Sequence, residues 1–317
     1  MNASINVSGL TKFFGNICAV DNISFSLTAG VLGFLGPNGA GKSTTMKIIT
    51  GFLTPDKGGA YVCGYDIQEE PLLAKASFGY LPEGAPVYPE MSVINFLSFV
   101  ASIRGFTGKQ LKRKVGAALE QLSLNQVAYQ RIETLSKGFR RRVGLAQALI
   151  HDPKVLILDE PTDGLDPNQK YEVRNLITQM ANEKVIILST HILEEVEALC
   201  DRAIVVANGR IVEDSTPEEL VQRSPLHNTV IMTVRNASHE QLRNSLLKLD
   251  EIKALEAIGS KDKSTINVRI YPKPGFVPVI EDLTAVVMQE GWELRDISMR
   301  RGHLDEVFRE ITTNHKV

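Results

Sequence analysis

Cysteine, tryptophan, surplus charge and long apolar runs are all scarce in this chain. Its three cysteines, Cys18, Cys63 and Cys200, are scattered among 317 residues with no C-x-x-C spacing. That argues against a disulfide framework or a cysteine zinc site, and buried thiols in a reducing compartment are the reading that remains. The formal net charge is -2, so no basic surplus points to nucleic acid. The opening residues, Met1-Asn-Ala-Ser-Ile-Asn6, lack the basic and apolar regions of a secretory leader. Val93–Ile103 is the best candidate for a membrane span, but it is too short and is interrupted by Asn95. If this protein works at a membrane, another chain must cross it. Long repeats and low-complexity tracts are also missing. With 43% hydrophobic and 23% charged residues, the composition is that of a globular protein able to bury a sizeable core. Its length suggests two domains.

Against that plain background one stretch stands out. Gly36-Pro-Asn-Gly-Ala-Gly-Lys42-Ser43-Thr44 follows the apolar run Val31–Leu35 and matches G-x-x-x-x-G-K-[ST], the P-loop. Its glycines let backbone N–H groups turn inward around phosphate oxygens. A helix starting near Gly41 adds its positive end. Lys42 reaches the β- and γ-phosphates, and Ser43 offers a hydroxyl to Mg²⁺. The strand ahead of the loop and the helical run Thr44–Thr50 behind it supply the context that a chance glycine-rich turn lacks. A second element fits the same chemistry. Val155-Leu-Ile-Leu-Asp159-Glu160 is an apolar strand ending in two carboxylates. Asp159 can hold Mg²⁺ directly or through water, and Glu160 can polarise an attacking water.

The pattern along the chain is α/β in the first half. Strand-like runs lie at Ile23–Leu27, Val155–Leu158 and Val185–Leu188, the continuous ones suiting a buried parallel sheet. Lys75–Lys114 reads as largely helical, punctuated by Pro82, Pro86 and Pro89 and broken at Gly105 and Gly108. Asn208-Gly209 between two apolar runs predicts a hairpin, and Thr216-Pro217 opens a short helix. Gln222–His227 reads as a linker, dividing the chain into domains at 1–222 and 228–317. Beyond it the order is strand, helix, two strands, helix, strand, with Ser238 and Gln241 at capping-box spacing. That order predicts a small α+β ferredoxin-like domain. Leu304–Ile311 would form a terminal amphipathic helix.

Taken together, the P-loop, Leu135-Ser-Lys-Gly-Phe-Arg-Arg-Arg-Val143, Asp159-Glu160, Gly164-Leu-Asp-Pro167 and Ser189-Thr-His191 occur in an order that resembles the ATP-binding cassette of ABC transporters. The resemblance covers roughly residues 5–220. It implies a P-loop NTPase cassette with a RecA-like core, an antiparallel β subdomain and a helical subdomain. It further implies an ATPase with ATP and Mg²⁺ as cofactors. Gly36, Pro37, Asn38, Gly39, Ala40, Gly41, Lys42, Ser43 and Thr44 would hold the phosphates, with Lys42 also catalytic. Ser136 and Gly138 match the signature loop that closes on the γ-phosphate held by the opposite subunit, and Asp166 matches the loop that crosses the dimer interface. Glu160 and His191 would act on the attacking water, His191 as the switch histidine. Phe14 matches the aromatic that stacks on adenine, with an exposed phenylalanine pair in a strand as the open alternative. The metal set would be Ser43, Asp159 and Glu83, where the family usually has Gln.

The resemblance also implies partners. These are separately encoded membrane-spanning permease subunits and a second cassette, in a homodimer, with no nucleic acid. The location would be cytoplasmic, peripheral on the inner face of the cell membrane. Lys137 and Phe139 depart from the usual signature, and Leu135-Ser-Lys-Gly138 with the basic run looks like the bacterial gliding-motility, drug- or sodium-export branch. So does Leu304-Asp-Glu-Val-Phe308 near the end, which makes export of an unnamed substrate the expectation. Two alternatives stay open: a soluble cassette acting on ribosomes or DNA, and a cassette regulated by a ligand-sensing C-terminal domain. Arg140-Arg-Arg142 reads as structural or phosphate-facing rather than as a nucleic-acid patch. In Glu83–Phe99, which matches the stretch where a membrane subunit docks, Tyr88 and Met91 are the interface candidates. Phe96 and Leu97 read as packing the helical subdomain.

Overall fold

The computed structural model describes residues 3–84, 86–259 and 265–314. The chain packs into two units, the first reaching to Pro217 and the second running from Glu218 to Ile311. Strands β1 (Ile5–Phe14) and β2 (Ile17–Leu27) form an antiparallel pair, and β3 (Val31–Leu35) leads into helix α1 (Lys42–Ile49). Next come β4 (Lys57–Val62), β5 (Tyr65–Asp66), α2 (Pro71–Ser77) and β6 (Phe78–Leu81). Helices α3 (Val93–Ile103), α4 (Gly108–Gln121) and α5 (Lys137–Leu149) follow. The unit closes with β7 (Val155–Asp159), α6 (Pro167–Ala181), β8 (Val185–Thr190), α7 (Leu193–Leu199), β9 (Arg202–Ala207) and β10 (Arg210–Ser215).

Two sheets result. The antiparallel one has the order β2-β1-β4-β5, and the larger one β10-β9-β3-β8-β7-β6. In the larger sheet β9, β3, β8, β7 and β6 run parallel, with β10 antiparallel at the edge. Every residue of β3, β7 and β8 is buried, which is why these strands read as unbroken apolar runs. Phe34, Ile157, Ile187 and Ile204 join Met46 and Ile48 of α1 in one core with β1, β2 and β4. Each such side chain contributes about 1.5–3 kcal/mol of transfer free energy. The Asn208-Gly209 turn has φ of 50° and 77°, as the sequence requires for a type I′ hairpin.

One segment departs from the sequence reading. Phe78–Leu81, read within a helical stretch, is edge strand β6, paired parallel with Val155–Leu158. Four residues are too few to display a period, so long-range pairing decides their state. The helical expectation holds for α3 and α4. Ser92 caps α3 by accepting from the Asn95 N–H, and Phe96 and Leu97 are buried, as packing residues should be.

The second unit begins within α8 (Pro217–Gln222). It continues through β11 (Val230–Arg235), α9 (His239–Leu246), β12 (Ile252–Ile258), β13 (Thr265–Pro272), α10 (Ile280–Gln289), β14 (Glu293–Met299) and, as far as Ile311, α11 (Leu304–Asn314). The sheet order is β12-β13-β11-β14 and every pair is antiparallel. This is the ferredoxin-like arrangement. Leu242 and Leu246 of α9, and Leu283 and Val287 of α10, lie four residues apart and bury one stripe of each helix against Val230, Met232 and Val268. Ser238 and Gln241 form the expected reciprocal capping box. Among the described residues no helix is long and apolar enough to cross a membrane.

Candidate nucleotide site

The loop between β3 and α1 is seated by contacts with β2 and with the hairpin turn at Gly209. Gly41 sits at φ 106°, and a Cβ there would lie 2.4 Å from the Ala19 carbonyl oxygen of β2, so only glycine fits. The hairpin turn secures the loop from the other side. The Gly209 N–H donates to the Ala40 carbonyl at 3.0 Å, and the Asp21 N–H donates to the Gly209 carbonyl at 2.8 Å. Lys42 is buried, and its ammonium donates to the carbonyls of Gly36 (2.7 Å) and Pro37 (3.1 Å). Burial lowers its pKa, against the opposing pull of Glu160, Asp159 and Glu83.

A pocket of about 280 Å³ opens over this loop, lined by Ala19, Asn38, Gly39, Gly41, Lys42, Ser43, Thr44, Glu83 and Glu160. It therefore gathers the P-loop, the segment after β6 and the end of β7. Gly36, Pro37 and Ala40 belong to the same loop but do not line the pocket.

Asp159 ends β7 and is only 1% exposed. The Ser189 hydroxyl of β8 donates to its carboxylate. Burial pushes the Asp159 pKa up. Glu160 then turns into the left-handed region, at φ 48°. That conformation costs about 1–2 kcal/mol for a residue with a Cβ. Its N–H donates to the Ser189 carbonyl at 3.0 Å, and its carboxylate Oε1 lies 3.1 Å from His191 Nδ1. The left-handed turn thus carries the Glu160 side chain off the strand and toward both the pocket and His191.

Oxygen donors alone are offered by Ser43, Asp159 and Glu83, which is the chemistry a small hard cation such as Mg²⁺ selects. Ser43 and Glu83 line the pocket, and the buried Asp159 carboxylate keeps an oxygen uncommitted to Ser189. These residues fit the ion.

Other residues singled out from the sequence lie elsewhere on the unit. Ser136 caps α5, its Oγ accepting from the Phe139 N–H at 3.4 Å. Gly138, in the first turn, packs so closely on Gln169 that a Cβ would lie 2.4 Å from it. Asp166 caps α6 by accepting from the Gln169 N–H at 2.9 Å. Neither these three nor Phe14, half-exposed at the end of β1 opposite Ile17, line the P-loop pocket.

Of two further buried charged residues, Arg141 lies in the run read as structural or phosphate-facing but was not singled out there, and Glu195 was given no role. Arg141 donates to the carbonyls of Asp159, Glu160, Pro161 and Pro82. The helical period carried the signal, since Arg141 falls on the buried stripe with Gly138, Leu145 and Ala148. Glu195 is fully buried. It accepts from the Thr162 hydroxyl and from Thr190 Oγ1 at 2.9 Å, so it ties the segment after Glu160 to the one before His191. Burial raises the Glu195 pKa, opposed by the Thr190 hydroxyl and by Arg174 and Lys170. A glutamate in an acidic helix gave no sequence signal for this.

Comparison with known proteins adds independent support. A family model described as ABC transporter matches residues 20–163. The linearmycin resistance ATP-binding protein LnrL of Bacillus subtilis is 31% identical over 311 residues, covering 97% of this chain and 98% of that protein. The Nod factor export ATP-binding protein I of Ralstonia nicotianae is 37% identical over 219 residues, covering 68% of each chain. Among solved structures, cbiO1 from Clostridium perfringens, part of the ABC transporter complex cbiONQ, superposes with a TM-score of 0.64 at 28% identity. That match covers 70% of this chain and 92% of cbiO1.

Proposed function

This chain belongs to the ATP-binding subunits of ABC transporters, ATPases coupled to transport, and from that premise we propose that it energises export through separately encoded membrane-spanning subunits. The observation that carries the mechanism is the Glu160–His191 pair, 3.1 Å apart beside the pocket that Lys42 and Ser43 line. Lys42 donates to the β- and γ-phosphate oxygens. Ser43, Asp159 and Glu83 hold Mg²⁺, which supplies charge neutralisation on the phosphates when bound. Glu160 takes the proton of the attacking water, and His191 orients that carboxylate and faces the γ-phosphate. Phe14 stacks on adenine. Ser136 and Gly138 of a second copy close over the γ-phosphate with the N-terminus of α5, and Asp166 crosses the interface between copies. Support for a two-chain site comes from the positions of Ser136, Gly138 and Asp166, which lie off the pocket lining of their own chain.

Export is supported by the names of the relatives, which refer to Nod factor export and linearmycin resistance. The linearmycin relative aligns across both units, which favours a cassette at 1–222 and an accessory domain at 228–317 working as one subunit. A peripheral position on the inner membrane face belongs to the same proposal.

Glu83 is expected to be tolerated where Gln is usual, because both side chains present oxygen to Mg²⁺. Glu83→Gln should change steady-state ATPase turnover by less than about tenfold, about 1.4 kcal/mol in barrier. A collapse of turnover would make the extra negative charge essential.

Docking to the membrane subunit is assigned to the surface around Tyr88 and Met91. Tyr88 is half-exposed, its ring edge-on to Phe96 and Phe99 with centroids 6.2 and 5.7 Å away. An apolar groove of about 570 Å³, lined by Phe52, Leu72, Tyr80, Pro86, Val100 and Ile103, lies in the same unit. Aromatic and Met side chains suit such partner surfaces. A Tyr88→Asp, Met91→Asp double variant should keep its fold and basal ATPase activity and lose copurification with the membrane subunit. Unchanged copurification would sink the docking assignment, and loss of folding would make the two residues part of the core.

A further inference from the structure

We infer that Arg141 is a positioning residue for ATP hydrolysis, fastening the backbone that presents Glu160 and balancing the charge that Glu83 adds. Arg141 lies one turn into α5 and is 7% exposed. Its Nε donates to the Pro161 carbonyl at 2.9 Å, Nη2 to the carbonyls of Asp159 (2.7 Å) and Glu160, and Nη1 to Pro82 at 3.4 Å. A planar guanidinium is the side chain whose donors diverge enough to serve four acceptors at once.

Three of those carbonyls belong to consecutive residues centred on Glu160, the left-handed position. Such a conformation persists only where the surroundings over-determine it. The fourth, Pro82, immediately precedes Glu83. One side chain therefore fixes the backbone under both carboxylates that line the P-loop pocket, and it does so from the helix that Ser136 caps.

Charge points the same way. Glu83, Glu160, Asp163 and Arg141 line one cavity of about 310 Å³ with Lys137 and Arg140. The two other cations are exposed, where water screens them, while Arg141 is buried. Burial disfavours its charge, and Asp159, Asp163, Glu160 and Glu83 favour it. A glutamate at 83 places a third carboxylate near Asp159 and Glu160, and two buried cations, Lys42 and Arg141, interact with all three, Lys42 from the P-loop and Arg141 from α5. Arg142 is otherwise engaged, paired with Glu172 and stacked over Phe139.

The inference rests on Glu160 being the base, and the test separates the two. Steady-state ATPase kinetics on the full chain would compare the parent with Arg141→Gln, in the native background and with Glu83→Gln. Arg141→Gln should lower kcat by at least about twentyfold, since small displacements of a reacting group cost up to about a hundredfold. KM for ATP should stay within about threefold, because nucleotide binding lies with the P-loop. In the Glu83→Gln background the same substitution should cost less than about fivefold. Arg141→Lys, with the charge but not the fork, should fold and still lose kcat at unchanged KM. Parent-like kcat in Arg141→Gln, or in Arg141→Lys should the Gln variant not fold, overturns the clamp. Equal losses in both Glu83 backgrounds overturn the charge balance. Full activity in Glu160→Gln would count against Glu160 as base, a result distinct from either.

Discussion

Glu160→Gln should bind ATP about as well as the parent, turn over at least about a hundredfold more slowly, and accumulate as a nucleotide-bound dimer. The substitution keeps size and shape, so the left-handed turn at φ 48° and the N–H donated to Ser189 are undisturbed. What disappears is an oxygen able to take a proton at the point nearest His191. General-base catalysis contributes about 10²–10⁴-fold, and the loss should fall wholly on kcat because the P-loop contacts are intact. Removing one negative charge beside the γ-phosphate also favours the bound state. Phosphate release and sedimentation in ATP measure the two effects. A variant hydrolysing at the parent rate would remove Glu160 from the role of base.

Lys42→Ala should weaken ATP binding by about 1.5–3 kcal/mol, roughly tenfold to a hundredfold, the range of a hydrogen bond to a charged group. The protein without nucleotide should lose little. Its ammonium is buried on the carbonyls of Gly36 and Pro37, and burial holds its pKa below the ordinary lysine value. A pKa lowered on folding means that the native state disfavours the charged form relative to the unfolded chain. At neutral pH that ammonium is therefore a cost that alanine removes. Calorimetry should show weaker ATP binding beside a thermal midpoint no lower than the parent's. Equal affinity would contradict the phosphate role of Lys42.

The site was legible where chemistry and local geometry coincide in a short window. Gly36–Thr44 carries its own turn, donors and helix start, and Asp159-Glu160 ends an apolar strand. Asn208-Gly209 and the Ser238–Gln241 box are equally local, each a backbone requirement met by neighbouring residues. Phe78–Leu81 was not legible, because a four-residue edge strand exists through its pairing with Val155–Leu158. Arg141 sat in view within a basic run, yet its partners are 18 to 20 residues ahead and 59 behind, a separation no periodicity encodes. Glu195 meets Thr162 across 33 residues in the same way.

By itself, then, the sequence determined a glycine loop between a strand and a helix, two carboxylates at the end of an apolar strand, and the element order of the second unit. The loop, the strand end and the element order depend on neighbouring residues, whereas the pairing of β11 with β13 and β14 joins residues far apart in the chain. Tertiary structure alone decided that Glu160 meets His191, that Ser189 serves both Asp159 and Glu160, and that Arg141 ties the Glu83 loop to the end of β7. Those pairings arise because the parallel sheet brings the ends of β6, β7 and β8 side by side. Burial there makes an unpaired charge or carbonyl too costly to leave without a partner.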